Sequence, residues 1–332
     1  MKQIIRALLV IALGIFSLAC ETEILDKQPL HQLATENFWT SEKDANLALA
    51  GVYNRTATWS GSNFITMFDA ATDNGIRTKI DAFPFNIGML TPTDGWITNY
   101  WNNSYREIAA CNYFLENIGR IEDIDEATRT QMIAEVRFLR AFTYYNMAQY
   151  WKGVPLVTET LSMDEANTVT SDSKEAIVNF VLSELDDIIP DLPATRPSGE
   201  HGRILKGAAL AIKGRLLMSE NDWSGAASVF KAIMDLGVHH IDPDYRHLFD
   251  GHNEQSSEII FSRKYLENEV SNNLQLVIRP NVDGGWHWLN PFQNFLDAYL
   301  CVDGKSIWES DLYDPQNPII KDGVEYRDPR LY

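Results

Sequence analysis

IAEVRFLRAFTYYNMAQYW, residues 133–151, is the stretch whose reading decides the fold. Set on a 3.6-residue repeat it is apolar on two sides, one through Phe138, Phe142 and Tyr145, the other through Val136, Leu139 and Met147. A helix at the surface of a globular protein carries one apolar stripe, and a helix with two must be sandwiched between neighbours. The segment therefore predicts an interior helix packed on both sides by other elements.

The flanks supply those neighbours. Trp101, Tyr105, Ile108, Asn112, Leu115 and Ile118 alternate spacings of four and three, which gives one stripe, and Gly119 is a natural stop. Ser41 and Asp44 form a weak capping box ahead of Ala45, Leu49, Val52 and Tyr53, predicting a first helix near residues 41–57. Downstream, Ile177, Phe180, Val181, Leu185 and Ile188 line another helix, which Pro190 ends. Between residues 204 and 237 the pattern looks like a tetratricopeptide repeat. Leu205, Ala208, Ala209, Ile212 and Leu216 line one helix and NDWSGAASVFKAIMDLG makes the next; Ala208, Ala211 and Gly214 allow close approach, and Ala226 with Phe230 keeps the A-x3-F spacing. An unrelated helical hairpin fits the same residues. Strand signals are scarce, so the predicted class is mainly α, with helical repeats and two long loops, residues 58–95 and 238–300, of the kind that usually carry function.

The chain opens as an export signal: Lys2 and Arg6 precede the apolar run LLVIALGIF, and Ala19 stands directly before Cys20. That run is too short to span a bilayer. A small residue before a cysteine suits a lipoprotein signal peptidase, which predicts a signal peptide over residues 1–19 and a lipid anchor on Cys20. Ser17 stands where leucine is usual in such a site, with Leu18 one place later, and an ordinary signal peptide cut near Ala19 is the alternative. The formal charge of −18 repels phosphate backbones and makes nucleic acid a poor partner. Cys111 and Cys301 lack the paired spacing of a zinc or redox site and read as buried apolar residues.

No nucleophile elbow, HExxH or phosphate-binding glycine loop occurs, and no cofactor is predicted. His239, His240, Asp242, Asp244 and His247 cluster in one loop without the spacing of a defined metal site. Paired carboxylates such as Asp186 and Asp187 could serve a glycosidase, although a charged helix face explains them. The aromatic group is more informative. Trp59, Phe83, Phe85, Trp286 and Trp288 fall in loops, near Asp73, Asn74, Arg77 and Asp283. Sugars offer an apolar C–H face to a ring and hydroxyls to Asn, Asp and Arg, so this mixture suits carbohydrate. Trp286 follows two glycines that let the backbone push its ring outward, and Trp288 is expected to face the opposite way, into the core.

Taken in order, CETEILDKQP, NFW, DANLALAGVYN, WNNSYREIAACNYFLENI, AEVRFLRAFTYYNMAQYWKGVPLV, GGWHWLNPFQNFLDAYLCVDGK and YRDPRL resemble the SusD/RagB family, surface lipoproteins that capture nutrients, mainly glycans, for TonB-dependent transporters. The resemblance implies an all-helical scaffold of tetratricopeptide-like pairs, an aromatic arc of ligand-binding loops, and repeats lying against a SusC-like transporter as a lid. It places a binding aromatic at Trp286 and others in the loop from Phe64 to Phe85. It also implies chain beyond YRDPRL, so that residues 20–237 form the helical-repeat region and 238–332 the start of a truncated C-terminal region. The reading is a non-catalytic, glycan-binding lipoprotein on the outside of the outer membrane. A tetratricopeptide envelope scaffold that binds only protein, and a glycoside hydrolase, are the alternatives.

Overall fold

The computed structural model describes residues 38–55, 68–77, 88–266 and 274–331. The signal peptide, Cys20, Trp59, Phe83 and Phe85 lie outside the described residues. Among the described residues six helices form the body: α1 (Glu42–Arg55), α2 (Gly95–Asn117), α3 (Glu126–Tyr150), α4 (Lys174–Ile188), α5 (Lys206–Ser219) and α6 (Trp223–Asp235). From α2 onward each packs on the next, and α1 lies against both α2 and α3. Among the described residues no helix is long and apolar enough to cross a membrane.

Helix α3 is the interior element its two stripes require. Phe138, Leu139, Tyr144 and Met147 are all at most 1% exposed, and burial of each such side chain contributes roughly 1.5–3 kcal/mol. Local chemistry sets its start, where the Asp125 carboxylate accepts the Thr128 backbone N–H at 3.0 Å. Helices α5 and α6 are the predicted repeat pair. A Cβ on Gly214 would come within 2.5 Å of the Phe230 ring, so glycine there admits the phenylalanine across the pair. The Asp222 side chain caps α6 by accepting from Gly225 N–H at 2.9 Å.

The turn after α3 is strapped to the stack. The Tyr105 and Tyr144 hydroxyls donate to the Pro155 carbonyl at 2.9 and 3.3 Å, and Tyr144 also accepts from Val157 N–H at 2.7 Å. Asn112 of α2 donates to the Val157 and Glu159 carbonyls at 3.2 and 3.0 Å, while its own oxygen accepts from buried Arg140 at 2.8 Å. Strands β2 (Gly153–Val154) and β3 (Asp172–Ser173) pair antiparallel, and a Cβ on Gly153 would sit 2.3 Å from the Asp172 carbonyl oxygen. The Gly-Val-Pro-Leu segment is thus fixed by what crosses it.

Residues 58–95 and 238–300, predicted as loops, contain short elements. Strand β1 (Gly75–Arg77) pairs with β4 (Leu289–Pro291), flanked by α7 (Leu274–Ile278) and α8 (Gln293–Ala298). Strands of three residues are too short to show alternation, and tertiary pairing makes them. Beyond them Cys301, Ile307 and Tyr326 form a small second core beside the β5–β6 hairpin (Ile320–Lys321, Val324–Glu325). Arg327, 1% exposed, ties it to α8 by donating to the Leu296 and Tyr299 carbonyls, both at 2.8 Å.

Candidate functional site

The β1–β4 pair joins the two long loops into one place. Gly75 stands opposite Pro291, and a Cβ there would meet the Asn290 carbonyl oxygen at 2.7 Å, which only glycine avoids. The Asn74 carbonyl accepts from Phe292 N–H at 2.9 Å and the Asp73 carbonyl from the Asn294 side chain at 3.3 Å. The backbones of Asp73 and Asn74 therefore hold the two loops together, and the Asp73 side chain is exposed.

The loop that carries the tryptophans is docked on α7. Trp286 and Trp288 N–H donate to the Leu276 and Val277 carbonyls at 2.7 and 2.8 Å. The turn before them closes at Gly284, φ 82°, directly after the exposed Asp283. Gly285 is buried against the Arg279 carbonyl oxygen, 2.1 Å from where a Cβ would be. The second glycine is needed for close packing, not for freedom to bend.

Trp286 is 43% exposed, as its predicted outward position requires. Trp288 does not turn the opposite way. The two rings lie 4.5 Å apart at 32°, side by side, with His287 between them in the left-handed region at φ 51°. Arg77 lies behind them, its guanidinium 4.8 Å from the Trp288 ring and 5.3 Å from Trp96 of α2. Trp96 in turn stacks on Tyr100 at 22°, and burial pushes the Tyr100 hydroxyl pKa up. A column of π and cationic groups, Trp286, Trp288, Arg77, Trp96 and Tyr100, thus runs from solvent to the core. Arg77, predicted as a polar partner of ligand, is 4% exposed and braces the rings.

The other candidates are engaged elsewhere. Asp187 pairs with Arg137 at 2.8 Å and Asp186 pairs with Lys213, so both carboxylates serve contacts between helices. Asp242 accepts from Asn253 and Ser256, and His247 and His252 pair with Asp244 and Asp250 inside their own loop. Cys111 and Cys301 are buried thiols.

Sequence reasoning missed a second feature. Glu135 of α3 is fully buried and is held by Arg196, by Arg203 at 2.6 and 3.0 Å, and by the Tyr53 hydroxyl at 2.5 Å. Desolvation, reinforced by Glu135, raises the Tyr53 pKa well above the usual phenol range. This cluster borders an open cavity of about 1120 Å³ between α1, α3 and residues 254–266. The signal was a glutamate on a helix with no polar face left to hold it.

A family model described as starch-binding associating with outer membrane matches residues 23–216. The chain belongs to the SusD-like family. A SusD-like protein, P25, of Formosa agariphila is 26% identical over 78% of this chain and 51% of its own length. A crystal structure of a SusD-like carbohydrate-binding protein from Bacteroides fragilis superposes with a TM-score of 0.82 at 36% identity, covering 89% of this chain and 59% of that one. The surface glycan-binding protein A of Bacteroides thetaiotaomicron, solved with laminarihexaose, shares the fold at TM-score 0.67 and 20% identity, over 79% of this chain and 64% of that one. The SusD-like chain described above spans about half the length of the curated relatives it matches.

Proposed function

We propose that this chain captures glycan on the exposed ring of Trp286 and hands it to a SusC-like, TonB-dependent transporter of the outer membrane. The observation that carries the reading is the aromatic column, which offers one ring to solvent and fixes it from behind. A stacked ring contributes on the order of 1 kcal/mol to a weak site, judged from aromatic pairs. Exposed Asp73 and Asp283 would add hydrogen bonds to hydroxyls, with Phe83 and Phe85 as further rings. Relatives support the ligand class, since the Bacteroides thetaiotaomicron protein was solved with laminarihexaose. Residues 1–19 would be removed and a lipid on Cys20 would tether the mature chain, with 20–237 as the repeat region and 238–332 as the start of the C-terminal region.

Protein contact has its own support. The outer side of α6 and the loop after it expose Trp223 (61%), Met234 (76%), Ile241 (88%) and Phe249 (73%). An apolar surface of this kind suits a protein partner. It fits the transporter in the leading reading, and a protein-only scaffold in the second. Calorimetry against a panel of soluble polysaccharides, laminarin and starch included, separates the two. Binding that Trp286→Ala abolishes supports glycan capture. Wild-type affinity in a folded Trp286→Ala moves the site elsewhere, and no binding to any glycan favours the scaffold.

A further inference from the structure

Three described residues other than glycine are held at positive φ: Asn221 at 65°, Asp322 at 51° and His287 at 51°. Asn221 lies in the turn between α5 and α6 and Asp322 in the β5–β6 turn, where such side chains are at home. His287 stands between two tryptophans instead. Its conformation is imposed from outside, because the successive N–H groups of Trp286, His287 and Trp288 donate to the Leu276, Arg279 and Val277 carbonyls at 2.7, 3.0 and 2.8 Å. The backbone path is thus set by α7 and the residue just past it. Histidine tolerates the left-handed region better than most side chains, yet it bears a cost there that glycine escapes. Residues held in sparse regions cluster at ligand clamps.

We propose that His287 is the specificity-determining contact of the glycan site: its imidazole hydrogen-bonds a hydroxyl of the sugar whose apolar face lies on Trp286. The proposal rests on the glycan-capture reading and assigns a residue within that site. A ring alone reads the flat face of a sugar and leaves its hydroxyl pattern unread. Arg77 cannot read that pattern, since it is buried behind Trp288. The His287 side chain is exposed and follows Trp286 directly in the chain. An imidazole donates from one ring nitrogen and, when neutral, accepts at the other, so it suits a hydroxyl in either role. A site built to bond a hydroxyl rejects sugars that lack or misplace it far more strongly than an apolar surface does.

His287→Gly tests this, because it removes the imidazole and relieves the backbone at once. The variant should melt no lower than wild type and keep the near-ultraviolet signal of the tryptophan pair. Its affinity for whichever of laminarin, starch and galactomannan wild type binds best should nevertheless fall about fivefold, the value of one hydrogen bond, and its preference over the next polymer should narrow. Wild-type affinity and preference in His287→Gly overturn the proposal. Should the tryptophan signal change, nuclear magnetic resonance decides on the unaltered protein. The His287 ring resonances, assigned by their loss in His287→Gly, should shift when an oligosaccharide of the same polymer is added, and unmoved resonances overturn the contact. Trp286→Ala in the same series separates the two failures. If Trp286→Ala abolishes binding while His287→Gly binds as wild type, only the assignment of His287 is wrong; if Trp286→Ala also binds as wild type, or wild type binds none of the three, the capture reading fails and the assignment falls with it.

Discussion

The guanidinium of Arg77 lies 4.8 Å from the centre of the Trp288 ring, beneath the ring's contact with exposed Trp286. An arginine so placed acts on ligand only through the tryptophans. Desolvated cation–π contacts contribute about 2 kcal/mol, and the planar fork stacks as lysine cannot. Arg77→Lys should therefore lower glycan affinity several-fold while Trp286 itself is intact, and tryptophan emission should shift red. Unchanged emission and affinity would show that the column does not hold the ring.

Removing Glu135 carries a large local penalty. Its carboxylate is fully buried between Arg196 and Arg203, and stripping one member from a buried ion-pair cluster costs about 3–5 kcal/mol because the partners are left uncompensated. Total stability of a domain is about 5–15 kcal/mol. Glu135→Ala should lower the melting temperature by at least 5 °C or abolish soluble expression, whereas Asp187→Ala, in an exposed pair, should cost under about 1 kcal/mol. Similar melts for the two variants would contradict this ranking.

The helical stack was legible because its information is local. Ile177 to Ile188 and Trp101 to Ile118 show their spacing within one element, and α4 and α2 form over those residues. The aromatic column was only half legible. Trp286 was visible as an aromatic after two glycines, but its support comes from Arg77 and from Trp96, which stands in the first turn of α2 ahead of the stripe that begins at Trp101. The hydrogen bond joining the residue two before β1 to α8 links residues 221 apart, and three-residue strands carry no periodic signal that could have announced the pairing beside it.

Acid should loosen the C-terminal lobe before the stack. The Asn317 side chain, the Gln316 N–H and Lys321 hold the Asp314 carboxyl pKa down to about 2. Arg330 does the same for Asp328, also to about 2. In the unfolded chain both titrate near 3.9. Their folded values are depressed, so their contribution is present above about pH 4 and is lost as pH falls from there through about 2. Both carboxylates are only partly buried, so the effect is graded and weakened by salt. Hydrogen exchange of residues 301–331 between pH 5 and 2 should show this, and Asp314→Asn with Asp328→Asn should flatten the profile. Equal acid sensitivity in the double variant would refute it.

Gly285 offers the sharpest separation of site from scaffold. A Cβ there would fall 2.1 Å from the Arg279 carbonyl oxygen, and that obstacle is backbone, which cannot swing aside as a side chain would. The same carbonyl accepts from His287 N–H at 3.0 Å, between the two tryptophans. Gly285→Ala must therefore push the loop off α7 and part the Trp286–Trp288 pair. Helices α1 to α6 pack without this loop, so the main thermal transition should stay within a few degrees of wild type. Gly284→Ala is the control, because its φ of 82° strains an alanine by about 1–2 kcal/mol while nothing lies within 4 Å of the added carbon. Gly285→Ala should lose at least tenfold in glycan affinity and change the near-ultraviolet tryptophan signal, with Gly284→Ala affected far less. Wild-type affinity in Gly285→Ala would mean that the docked geometry of Trp286 does not set binding.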